Sequence, residues 1–71
     1  MRGRSKRRVV AEARELTGDL TGCSVVEARA LVAAAGARLH DISEYCSQKR
    51  CYVWVHVRVC DGRVAHVLSV A

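Results

Sequence analysis

Seventy-one residues bound this chain to one domain with a marginal core, since so short a chain buries only about 60% of the surface its unfolded form exposes. No apolar run approaches the roughly 20 residues that span a bilayer, and the basic N-terminus lacks the apolar stretch of a secretory signal. The expectation is a soluble, cytoplasmic chain with no membrane partner, carrying a formal net charge of +5.

That charge is concentrated at one end. Residues 1–8, MRGRSKRR, hold five of the twelve Lys and Arg and none of the seven Asp and Glu. Arg2, Arg4, Lys6, Arg7 and Arg8 therefore form a basic, flexible arm ahead of a single small α+β domain, residues 9–71, that is formally neutral. Basic arms contact phosphate backbones or acidic surfaces, and their contribution depends strongly on salt. A solvated terminus that only aids solubility is the plainer reading.

Helical spacing begins inside the arm, at about 5–16, where Val9, Ala13 and Leu16 share one side with Leu20 just beyond. Arg8 and Glu12 are placed to pair across one turn. TGDLTG, with two Thr-Gly pairs, reads as a loop. A second helix, about 24–35, has the clearer signals. Ser24 with Glu27 makes a capping box, Val25, Ala28, Leu31, Val32 and Ala35 form its stripe, and Gly36 sits where a left-handed residue would end it. Leu39, Ile42 and Tyr45 or Cys46 recur at about one turn, so a short third helix is expected over about 39–46, followed by the polar connection SQKR.

The segment from Leu20 to Tyr45 resembles the ubiquitin-associated (UBA-like) three-helix fold, including its version at the N-terminus of translation factor Ts. The resemblance rests on the Thr21-Gly22 turn, the Glu27-Ala28 and Ala30-Leu31 run, the Ala35-Gly36 stop, and Ile42. It implies three helices, the first over Ser5 to Leu16, and supplies nothing for residues 51–70.

Those residues, CYVWVHVRVCDGRVAHVLSV, alternate around Asp61-Gly62, the dipeptide of a two-residue hairpin turn. Strands are expected over about 51–60 and 63–70. A tight turn pairs Val59 with Val64, Val57 with His66, Val55 with Leu68 and Val53 with Val70 on one face. Tyr52, Trp54, His56 and Arg58 then share the other face, opposite Ala71, Ser69, Val67 and Ala65. The valine face must pack on the helices, because a lone hairpin is marginal in water. The aromatic and basic row is left to face solvent or a second chain.

Four cysteines invite a disulfide or zinc reading. Cys51 and Cys60 sit about 30 Å apart on one strand and cannot bridge. Cys46 and Cys51, with His40 or Cys23, lack any tight ligand knuckle. The expectation is free or buried thiols, no metal and no cofactor. Cys23, just before a helix start, has no adjacent base in a recognisable signature, so no catalytic residue is assigned. Thr21, Gly22 and Ser24 are explained by a plain cap as well as by anion binding.

The expected architecture is thus two or three helices packed on a C-terminal antiparallel hairpin, as a homodimer. The expected role is non-enzymatic: nucleic-acid binding (DNA or RNA), or an accessory to it, through Arg2, Arg4, Lys6, Arg7 and Arg8, with Tyr52, Trp54, His56 and Arg58 as stacking and charged contacts. The alternative is a protein-interaction module, a small regulator or inhibitor docking its hairpin face or edge on an acidic or other protein surface.

Overall fold

The computed structural model describes residues 5–44 and 53–71. Three helices, α1 (Lys6–Glu15), α2 (Thr17–Leu20) and α3 (Val25–Ala34), precede three strands, β1 (Arg38–Asp41), β2 (Trp54–Cys60) and β3 (Arg63–Val70). No helix of the described residues is long and apolar enough to cross a membrane.

Local chemistry sets the helix limits. Ser5 caps α1 by accepting from the Arg8 amide at 3.2 Å, and Ser24 caps α3 by accepting from the Glu27 amide at 3.1 Å. At the other end of α3, Gly36 takes φ 92°. The Gly36 amide donates to Ala33 at 3.0 Å and the Ala37 amide donates to Val32 at 3.0 Å, the paired bonds of a Schellman stop. The TGDL stretch, expected as loop, instead makes the single helical turn α2. Its Leu20 is wholly buried, and burying that side chain outweighs the low helix propensity of Thr and Gly.

The sheet differs more from expectation. It has three strands in the order β1-β2-β3; β2 and β3 are antiparallel, whereas β1 lies parallel to β2. The third helix expected over 39–46, which the three-helix resemblance also implied, is replaced at residues 38–41 by a strand; positions 45 and 46 lie outside the described residues. Ile42, part of the supposed helical stripe, is exposed. Unpaired backbone groups along β2 explain the change. Arg38 donates its amide to Val53 at 2.9 Å and Ile42 donates to Val57 at 3.0 Å, so pairing satisfies an edge that would otherwise need water.

Asp61 and Gly62 have φ 53° and 74°, the left-handed pair of a type I′ turn. Val59 faces Val64 and Cys60 faces Arg63 as expected from that turn, but the register then shifts twice. His66 pairs with Arg58, Val67 with Val57, Ser69 with His56 and Val70 with Val55, which leaves Ala65 and Leu68 as extra residues of two bulges on β3. The expected pairings of Val57 with His66 and Val55 with Leu68 are therefore corrected. A strict alternation would have buried a histidine. The bulges bring Val64, Val67 and Val70 to the core side instead, and leave His66 exposed opposite Arg58.

The core lies between the helices and one sheet face. Val9, Ala13, Leu20, Ala28 and Val32 from the helices meet Leu39, Val53, Val55, Val57 and Val64. With so few and such small side chains, the helices cover a single face of the sheet.

Candidate functional site

Side chains alternate across a strand, so burial of Leu39, Val53, Val55 and Val57 puts their neighbours on the far face. The parallel register sets Arg38 beside Trp54 and His40 beside His56. The antiparallel register adds His66 beside Arg58 and Ser69 beside His56. The outer face thus displays Arg38, His40, Trp54, His56, Arg58, His66 and Ser69, and no acidic side chain among the described residues occupies an outward strand position.

At its centre the rings hold one another. His40 stands edge-on to Trp54, centroids 6.1 Å apart, and edge-on to His56 at 5.2 Å. The two histidines meet through their Nδ1 atoms at 3.0 Å, and His40 Nε2 lies 2.7 Å from the Glu44 carbonyl oxygen. A carbonyl only accepts, so His40 Nε2–H is the donor there. When His40 is neutral, its Nδ1 accepts and His56 Nδ1–H donates. A proton added to both rings would set two N–H groups face to face, so the contact holds while at least one ring is neutral.

Asp41 follows His40 but belongs to the turn that ends β1. Its Oδ1 accepts the Ser43 amide at 3.0 Å and the Ser43 hydroxyl at 2.9 Å. The bond from the Ser43 amide, then that from its hydroxyl, holds the Asp41 carboxyl below its ordinary range, with smaller help from His40 and Arg29.

Beside the row, at the start of β1, a cleft of about 470 Å3 opens between the end of α3 and Trp54. Arg29 and Arg38 flank it, and Ala33, Gly36 and Ala37 form its shallow wall.

The other expected residues fall as follows. Trp54, His56 and Arg58 share the outer face, while Tyr52 lies outside the described residues. Lys6, Arg7 and Arg8 are exposed in the first turn of α1, and Arg8 Nε donates to Glu12 at 3.4 Å; Arg2 and Arg4 lie outside the described residues. Cys23 Sγ–H donates to the Asp19 carbonyl at 2.9 Å, and Cys60 is exposed; Cys46 and Cys51 lie outside. Among the described residues no three His, Cys, Asp or Glu side chains gather as a metal site. Sequence reasoning missed Arg38, and on the sheet face missed His40, because a helix was expected over 39–46 and no strand before residue 51. The signal available was that β2 had an unpaired edge.

No family model matches the chain, and no curated protein or solved structure matches it either.

Proposed function

We propose that this chain is a small non-enzymatic protein that binds nucleic acid through its open sheet face and its basic N-terminal segment. The observation that carries the reading is the composition of that face. Two arginines, three histidines and the chain's only tryptophan stand at outward positions without an acid among them. Aromatic rings on a sheet face, here the half-buried Trp54, stack with bases in a sequence-tolerant way, at about 1–3 kcal/mol per base, while arginine meets phosphate. Arg2, Arg4, Lys6, Arg7 and Arg8 add the charge that draws in a phosphate backbone. Lys6, Arg7 and Arg8 also occupy the first turn of a helix that holds no acid there, where the backbone dipole disfavours cations and favours a bound anion.

The test is binding as a function of salt. Affinity should fall steeply as salt rises. Replacing Arg2, Arg4, Lys6, Arg7 and Arg8 together by Gln, which preserves α1, should flatten the log–log slope by up to about 3.5 for a single strand. A salt-insensitive curve would reject the proposal.

A second reading is a protein-interaction module that docks on another protein or a second copy of itself. It draws on Leu68, which the second bulge turns outward on β3 with half its surface exposed. Sedimentation of Trp54→Ala separates the two. A fall in mass assigns the face to self-association, and an unchanged mass with lost nucleic-acid binding assigns it to recognition.

A further inference from the structure

We infer, resting on the nucleic-acid reading above, that the cleft beside Trp54 takes one nucleotide unit of a single strand, its base against the indole and its phosphate between Arg29 and Arg38. The space suits such a unit. At about 470 Å3 the cleft lies within the usual range for small-ligand sites. Its linings are of two kinds. Trp54 offers an aromatic surface, and Ala33, Gly36 and Ala37 carry at most a methyl group, so a flat ring meets no long side chain on that wall. Arg29 and Arg38 supply planar guanidinium groups suited to a phosphate, and among the described residues no acidic side chain lines the cleft. Asp41, whose carboxylate Arg29 favours weakly from a distance, accepts from the Ser43 amide and hydroxyl.

The end of α3 orients the occupant. Two carbonyls of its last turn, on Val32 and Ala33, accept from Ala37 and Gly36, and this end of a helix carries partial negative charge. A phosphate is repelled from it and moves to the guanidinium side, which leaves the base at the Ala–Gly wall. A base enters such a cleft only when splayed from its stack, so a single strand fits and an intact duplex does not. Trp54 belongs both to the cleft and to the outer row, so a strand seated here continues past His56 and Arg58.

Trp54 is the only tryptophan in the chain, so its fluorescence reports occupancy directly. The full chain is titrated with adenosine 5′-monophosphate, with a single-stranded oligonucleotide of about ten nucleotides, and with the same sequence as a duplex. The single strand should quench Trp54 and bind more tightly than the mononucleotide. Arg29→Gln and Arg38→Gln should each weaken the strand about tenfold or more. Trp54→Ala should weaken it about 5- to 150-fold, with Trp54→Phe retaining most of the affinity. Arg29 is an exposed helix position, so its variant tests the cleft without touching the core. Equal, salt-steep binding of strand and duplex with unchanged Trp54 emission would overturn the cleft assignment and leave the wider interface standing. A mononucleotide that binds as tightly as the strand would overturn the strand assignment in favour of a free nucleotide. Absence of binding by strand and duplex alike would remove the nucleic-acid reading and the cleft together.

Discussion

Arg7 illustrates how a single residue can be poorly placed for stability and well placed for binding. It sits exposed in the first turn of α1, between two other cations and with no acid in that turn. Arg7→Glu should raise stability by about 0.3–1 kcal/mol through the helix dipole and weaken nucleic-acid binding; urea unfolding and a binding titration read the two effects separately. Asp41 makes a pH prediction. Its carboxyl titrates below its ordinary range because of Ser43, so its anchoring of the turn is present above the unfolded pKa. That contribution is lost as pH falls through the lowered folded value. Ser43→Ala removes the hydroxyl bond and keeps the larger amide bond, so it should move the Asp41 titration part of the way back up, as followed by carboxyl NMR shifts; an unmoved titration would contradict the hydroxyl's share. His66 shows where residue-level reading fails. Alternation assigned it to the core face, and only the bulges, which no single residue announces, moved it out.

At the scale of elements, the parts with their own local signals were legible. Ser24, Glu27 and Gly36 marked α3 because caps and stops are local hydrogen-bond chemistry. Asp61-Gly62 marked the turn because few residues tolerate positive φ. Gly62→Ala meets no steric neighbour, so its cost should be conformational alone, about 1–2 kcal/mol by urea unfolding. Gly62→Asn should cost less, since Asn tolerates the left-handed region. By contrast, β1 was illegible because its reason to exist lies elsewhere. Arg38–Asp41 has no strand pattern of its own and forms against an edge of β2. The spacing of Val64, Val67 and Val70 was a visible hint of bulges, since a three-residue interval suits one buried face only if an extra residue intervenes twice. Those bulges also roughen the outer strand β3, which discourages pairing with a second sheet edge.

For the whole molecule, the one-sided packing matters most. A core of valine, alanine and two leucines covers a single sheet face, and a domain this small has about 3–5 kcal/mol to spare. Leu20→Ala, at a fully buried position, should cost about 2–5 kcal/mol and leave little or no cooperative unfolding transition by circular dichroism. The same economy leaves the other face open to a ligand. Half of the candidate site, Trp54, His56 and Arg58, could be read from alternation along β2 alone. The other half, Arg38, His40 and His66, required knowing the strand order and register. Amide chemical shifts of the labelled protein during titration with a single-stranded oligonucleotide test the central claim most directly. The largest changes should fall at residues 38, 40, 54, 56, 58 and 69 and in the first turn of α1. Changes confined to α3 and the outward side of α2, with the sheet face unmoved, would contradict it.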